Sequence, residues 1–174
     1  MARNIEIKAS VDDLHTLAER AARIASQGPQ HIRQDDTFFK CDAGRLKLRD
    51  FGDGTGQLIF YQRQDKQGPK ESFYVLSETA APDSLREALS LAYGQAGRLR
   101  KQRLLYLAGR TRIHLDKVEG LGNFMELEVV LQDVDDIDAG AREADALMQH
   151  LGIRQSQLIE GAYIDLLNQR QLST

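Results

Sequence analysis

The sequence predicts an α+β domain: an eight-stranded antiparallel β-barrel with a charged interior and helices packed outside it. Three observations predict this. About eight short strand-like segments are joined mostly by hairpin-type turns, which implies antiparallel pairing, and eight strands are enough to close. Four segments with helical apolar spacing interrupt or follow them, and belong outside the sheet or at one end. At least five strands carry charges in phase along one face, and on several of them the charges have one sign.

Residues 3–9 alternate polar and apolar and form the first strand. Ser10 and Asp13 mark a capping-box start. Leu14, Leu17, Ala18, Ala21 and Ile24 then carry a helix to about Ser26, and Gly28-Pro29 stops it. Strands follow over His31–Cys41, Arg45–Phe51, Gln57–Gln64 and Glu71–Ser77, parted by turn residues at 42–44, 52–56 and 65–69. Pro82-Asp83 opens a second helix that runs to about Tyr93. Leu99–Leu107, Thr111–Val118 and Asn123–Leu131 complete the strands, and Ile137–Leu151 and Gln155–Asn168 read as the last two helices. No linker, low-complexity segment or repeat divides the chain, so residues 1–174 are expected to form one domain.

Composition narrows the function. The 174 residues hold 23 Lys and Arg against 26 Asp and Glu, a net charge of -3 that argues against a nucleic-acid coat. Aromatics are 6 % with no Trp, so base-stacking platforms are not expected. The single cysteine, Cys41, excludes an intrachain disulfide framework and a cysteine-based zinc cluster. No run of 18 apolar residues predicts a membrane span, and MARNIEIKAS does not read as a secretory leader, so the expected location is the cytoplasm.

The informative signal is where the charges sit. Asn4, Glu6 and Lys8 share one strand face, opposite Ile5 and Ile7. Arg45, Lys47 and Arg49 share another, and Lys101 and Arg103 are in phase. Arg110, Arg112, His114 and Asp116 line up, as do Glu126 and Glu128. Any one such strand is what a half-solvated sheet looks like. Like charges at i and i+2 stand about 7 Å apart and repel, however, and a solvated surface gives no reason to line them up. Turned inward, these faces would form a polar interior, with the apolar faces against the helices. Its basic wall suits phosphoryl oxygens and its paired carboxylates suit Mg²⁺ or Mn²⁺.

The same residues resemble the CYTH superfamily, the triphosphate tunnel metalloenzymes, which include class IV adenylyl cyclases and thiamine triphosphatases. The resemblance runs through Asn4-Ile5-Glu6-Ile7-Lys8, Asp36-Thr37-Phe38-Phe39 and Arg45-Leu46-Lys47-Leu48-Arg49. It continues through Lys101-Gln102-Arg103 with Tyr106, Ile113-His114-Leu115-Asp116, Gly120 to Glu128 and Ala162 to Leu167. It implies a tunnel enzyme acting on a small-molecule triphosphate, with no nucleic acid and no membrane as partner, and a homodimer as an admissible assembly. It implies metal ligands at Glu6, Asp116, Glu126 and Glu128, with Mg²⁺ or Mn²⁺ as the ion. Lys8, Lys47 and Arg49 would hold the triphosphate, with Arg45, Arg63 and Arg112 as further binding residues. Lys101 and Arg103 would be the catalytic cations that steady the leaving group. Asn4 departs from the Glu-x-Glu-x-Lys signature, and a lysine of the pattern falls at Gln62 or Arg63 according to alignment.

Two reactions fit: cyclisation of ATP to cyclic AMP and pyrophosphate, by closest resemblance, and hydrolysis of a thiamine, nucleotide or inorganic triphosphate. A non-catalytic polyphosphate-binding module and a nucleic-acid surface built on Arg98, Arg100, Lys101, Arg103, Arg110 and Arg112 are the rivals. His15, His31 and Lys70 read as solvated, Tyr61 as packing and Tyr163 as a cap on one mouth. His114 reads as a satisfied polar neighbour of Asp116.

Overall fold

The computed structural model describes residues 2–64 and 67–173. Its strands are β1 (Ala2–Ser10), β2 (Gln27–Phe39), β3 (Arg45–Asp50), β4 (Gly56–Arg63), β5 (Lys70–Thr79), β6 (Gln95–Ala108), β7 (Thr111–Val118) and β8 (Gly122–Leu131). They close into a ring in the order β1-β5-β4-β3-β2-β6-β7-β8, every neighbouring pair antiparallel. Closure leaves no free edge for another chain to extend. The expected eight strands and their antiparallel pairing are all present; residues 65 and 66 of the expected turn at 65–69 lie outside the described residues.

The main core lies outside the ring. Ile5 and Ile7 of β1, Ile113 and Leu115 of β7, and Met125, Leu127 and Val129 of β8 all face outward and are buried. Leu17 and Ala21 of α1 (Leu14–Ile24) and Ala144 and Met148 of α3 (Ile137–His150) cover them. Gly140 lets α3 approach closely, since a Cβ there would meet Ile5 Cγ1 at 3.0 Å. The outward positions alternate with the charged ones along each strand, so covering one face with helices commits the other to the bore.

A second apolar cluster closes one end. Phe38, Leu99, Val118 and Phe124 share their strands' inward parity and pack against Ala162, Tyr163 and Ile164 at the start of α4 (Tyr163–Leu172). Gly97, at φ +153°, gives α4 its seat: a Cβ there would lie 2.5 Å from Ile164 Cδ1.

Three local expectations are corrected. The α1 cap is Asp13 alone, whose Oδ1 accepts from the His15 and Thr16 amides, rather than a box opened by Ser10. The helix ends at Ile24, and Gly28 and Pro29 lie within β2, which pairs with the long β6 from Gln27 onward. The expected helix over 155–168 is a 3₁₀ turn at Gln155–Gln157, an extended step in which Leu158 bridges Ala9, and then α4. Gly161 at φ +78° breaks helical geometry, and the Asp165 side chain caps the new start by accepting from the Ala162 amide at 3.0 Å.

Leu127→Ala removes a fully buried side chain between the ring and its helices. It is expected to cost about 2–5 kcal/mol in denaturant unfolding, with an unchanged m-value.

Candidate functional site

Inside the ring is a cavity of about 370 Å³. Seven basic side chains line it: Lys8, Lys47, Arg49, Arg63, Lys101, Arg103 and Arg112. Five carboxylates stand among them: Glu6, Asp36, Glu126 and Glu128 on the wall, and Asp116 fully buried behind Lys101 and Arg103. The inward face expected from strand parity is thus the one that carries the charge.

Three clusters organise the bore. On the β2–β3 side, Asp36 Oδ1 accepts from Arg49 Nε at 2.8 Å, and Oδ2 accepts from Arg49 Nη2 and Lys47 Nζ, each at 2.8 Å. On the β6–β7 side, Asp116 takes a bidentate fork from Arg103 at 2.6 Å on each oxygen, with Lys101 Nζ at 3.3 Å and the Tyr163 hydroxyl at 3.1 Å. On the β1–β8 side, Lys8 Nζ pairs with Glu126 Oε1 at 3.1 Å, and Arg103 Nη2 reaches Glu126 Oε2 at 2.9 Å. Arg63 Nη1 donates to Glu6 at 2.6 Å, and Arg112 Nε donates to Glu128 Oε2 at 2.8 Å.

Aromatic rings support the cations. The Tyr163 ring lies 4.1 Å from Lys8 Nζ and 4.9 Å from Lys101 Nζ, measured to its centroid. Tyr61 is flanked by Lys47 at 5.6 Å, Arg63 at 5.8 Å and Arg45 at 5.9 Å. The segment before α4 is tied to the bore because Lys8 and Arg63 both donate to the Gly161 carbonyl. Away from the charged clusters the lining turns apolar, with Ile32, Phe51, Leu76 and Leu105 partly exposed.

These surroundings set the charge states. Burial works to raise the Asp36 and Asp116 carboxyls, and the adjacent cations overcome it and hold both well below the usual carboxylate range. Glu126 and Glu128 are likewise held down, by Lys8 and by His114 and Arg112 respectively, against burial. Glu6 is raised, by burial and by its two acidic neighbours on β8, with Arg63 opposing. Burial pushes Lys101 down to about 7, with Arg103 adding to the effect, and pushes Lys47 and Lys70 down to about 8. His114 is lowered by burial and by Arg103.

The structure brings Lys8, Lys47, Arg49, Arg63, Lys101, Arg103 and Arg112 to one cavity with Glu6, Glu126 and Glu128. Asp116 sits behind the wall with both oxygens on Arg103. Arg45 lies at the α4 end, its Nη2 2.6 Å from Asp165 Oδ2. The question at the end of β4 is resolved by parity: Arg63 points inward and Gln62 is exposed. Lys70, expected as a solvated loop residue, is instead the first residue of β5, opposite Glu6 and almost fully buried. The basic run from Arg98 to Arg112 does not form one surface. Lys101, Arg103 and Arg112 face inward, Arg98 and Arg100 hold Asp35, and Arg110 holds Asp135 and Glu143.

Sequence reasoning gave no site role to Asp36 or Tyr61 and set His114 aside. Asp36 was findable: its strand pairs Asp36 with Arg49, so the inward parity of one fixes the other. His114 stands opposite Glu126 and is buried, and its Nδ1 makes no hydrogen bond.

A CYTH domain model matches residues 2–163. The chain belongs to the CYTH domain family. A relative in Methanocaldococcus jannaschii named "Putative adenylate cyclase MJ0240" is 23% identical over 171 residues, covering 93% of this chain and 97% of that one. Among solved structures, the PH1012 protein of Pyrococcus horikoshii superposes with a TM-score of 0.83 at 20% identity, covering 95% of this chain and 99% of the other. HpAC1 of Hippeastrum, named a "Putative adenylyl cyclase" and described as revealing a dominant triphosphatase activity, gives a TM-score of 0.69 at 14% identity over 98% and 96% of the two chains. At these identities the structural matches establish the CYTH fold.

A polyanion entering the bore would raise the lysine pKa values back toward their ordinary range. Binding of inorganic tripolyphosphate at pH 8 is therefore expected to take up protons, through Lys101, Lys47 and Lys70, and to weaken as pH rises above about 8. Calorimetry in buffers of different ionisation enthalpy measures the uptake directly; release of protons on binding would contradict it.

Proposed function

We propose that this CYTH protein is a divalent-metal-dependent enzyme that binds a nucleoside or other organic triphosphate in its bore and processes the phosphate chain. The reading we favour is cyclisation of ATP to cyclic AMP and pyrophosphate. The observation that carries the proposal is the bore's surplus of basic side chains, seven against five carboxylates, placed beside an acidic pair. A surplus of buried positive charge is costly unless a polyanion enters. Guanidinium forks and ammonium groups converging from several strands match phosphoryl oxygens in number and geometry.

The roles follow from position. Lys47, Arg49 and Arg63 line the wall across from the acidic strand and would grip the phosphate chain. Lys101 and Arg103, aligned by Asp116 and Tyr163, would neutralise charge gathering on the leaving phosphate. Glu126 and Glu128, with His114 Nδ1 beside them and making no hydrogen bond, suit a divalent cation. Such an ion supplies Lewis-acid polarisation of phosphoryl oxygens and lowers the pKa of bound water. The apolar stretch at Ile32, Phe51, Leu76 and Leu105 would receive the organic group. In cyclisation the ribose 3′ oxygen bonds to the α-phosphorus, the bond to the bridging oxygen breaks, and pyrophosphate leaves while the hydroxyl proton passes to solvent.

Hydrolysis of the terminal phosphate is the second reading. The same cations serve it with water as nucleophile, and the Hippeastrum protein of this fold is described as chiefly a triphosphatase.

Cyclic AMP, pyrophosphate and phosphate release are measured together on ATP, thiamine triphosphate and tripolyphosphate with Mg²⁺ or Mn²⁺. Cyclic AMP with pyrophosphate supports the first reading and phosphate alone supports the second. Tight binding with no product would make the chain a binding module. Arg103→Ala is expected to lower kcat by 10²-fold or more on the order of a lost transition-state contact. Full activity in that variant would remove the leaving-group role.

A further inference from the structure

The five bore carboxylates are not equivalent. Asp36 and Asp116 each have both oxygens taken by protein cations, and Glu126 has Oε1 on Lys8 and Oε2 on Arg103. Glu6 has a close partner in Arg63. Glu128 gives Oε2 to Arg112, while its Oε1 faces His114 Nδ1 at 3.8 Å, and Glu126 Oε2 lies 3.9 Å from the same nitrogen. Those separations are too long for hydrogen bonds. His114 Nδ1 is buried and makes none, on a residue only 4 % exposed. A buried ring nitrogen left without a partner is unfavourable. The gap between it and two carboxylates has the character of a ligand position.

Among the described residues, His114, Glu126 and Glu128 are the one group of three such side chains that offer donor atoms all within 4.8 Å of one another. Opposite ligands of an octahedral ion bonded at about 2.1 Å stand about 4.2 Å apart, so modest side-chain rotation brings these three onto one ion. Space for a second ion beside Glu128 is held by fixed positive charge. Arg112 sits on Glu128 and, with the Asn4 amide turned to satisfy both of its ends, also donates to the Asn4 oxygen at 3.1 Å. Asn4 brings no charge of its own to draw a cation there.

We propose that the bore binds one divalent ion per chain on His114, Glu126 and Glu128, and that the imidazole donor makes the site select a first-row transition ion such as Mn²⁺ or Co²⁺ over Mg²⁺. Mg²⁺ takes oxygen ligands and sheds water reluctantly, whereas an imidazole nitrogen favours the transition ions. The inference deepens the metal dependence proposed above. It differs from it in naming the nitrogen ligand, the stoichiometry and the ion class.

The test is made on metal-free protein, without substrate. Mn²⁺ titration followed by electron paramagnetic resonance is expected to saturate at one equivalent. Pulsed spectra are expected to show coupling to a directly bound nitrogen, which changes on ¹⁵N-histidine labelling and disappears in His114→Gln. Mg²⁺ should need at least tenfold excess to displace half of the Mn²⁺. Two equivalents of equal affinity, absence of nitrogen coupling, no Mn²⁺ binding, or displacement by equimolar Mg²⁺ would each overturn the assignment. The labelled wild-type protein carries the nitrogen test even if His114→Gln does not fold. Nitrogen-coupled Mn²⁺ with no turnover of any triphosphate would leave this site standing and remove the proposed reaction. Turnover without nitrogen coupling would do the reverse.

Discussion

A lysine or arginine drawn out of water loses several kcal/mol of hydration, and this domain draws seven of them into one bore. The rest of the structure answers that constraint. Each cluster of cations is built around a carboxylate on a neighbouring strand: Asp36 for Lys47 and Arg49, Asp116 for Lys101 and Arg103, Glu126 for Lys8. The pairs hold the basic groups in orientations that a flexible surface lysine would not keep, and Tyr61 and Tyr163 add ring faces beneath them. Such pairing is weak evidence for stability, since an apolar bore of similar volume would be as stable or more so. Its presence points to binding.

The inversion of the sheet follows from the same demand. A bore full of charge cannot also be the hydrophobic core, so the core moves outside, where Ile7, Leu127 and Val129 meet α1 and α3. Once both faces of a strand are committed, its register is fixed, because a slip of one residue would exchange isoleucines for glutamates. The α4 segment then completes the chamber. Tyr163 joins the apolar plug with Phe124, reaches Asp116 with its hydroxyl, and sits beside a loop carbonyl gripped by Lys8 and Arg63. One end of the bore is thus shaped by a residue far away in sequence from the strands it supports.

Much of this was legible from period-two patterning. Arg-Leu-Lys-Leu-Arg at 45–49 and Glu-Leu-Glu at 126–128 declare both the strand and the face, and their like charges make a solvated surface an unfavourable reading. What the pattern could not supply was who faces whom. Asp36 looks like an isolated acid until β2 is laid against β3, and His114 looks like a polar neighbour until β8 brings Glu126 opposite it. The C-terminal region misled for a different reason. Apolar spacing over 155–168 suits a helix, but Leu158 is spent on a bridge to Ala9, and Gly161 takes a left-handed turn that only the local contacts reveal. Lys70 was hidden by Gly68 and Pro69, turn residues that end where β5 has already begun.

On the proposed reading, the cations and carboxylates of the bore are partners held in reserve for a metal-bound polyanion. A crystal structure of the protein with Mn²⁺ and a non-hydrolysable triphosphate analogue decides it. Phosphorus density is expected inside the ring, with Lys47, Arg49 and Arg103 turned from their carboxylates onto phosphate oxygens and anomalous density beside Glu126 and Glu128. An analogue bound on the outer face, with every ion pair of the bore intact, would contradict it.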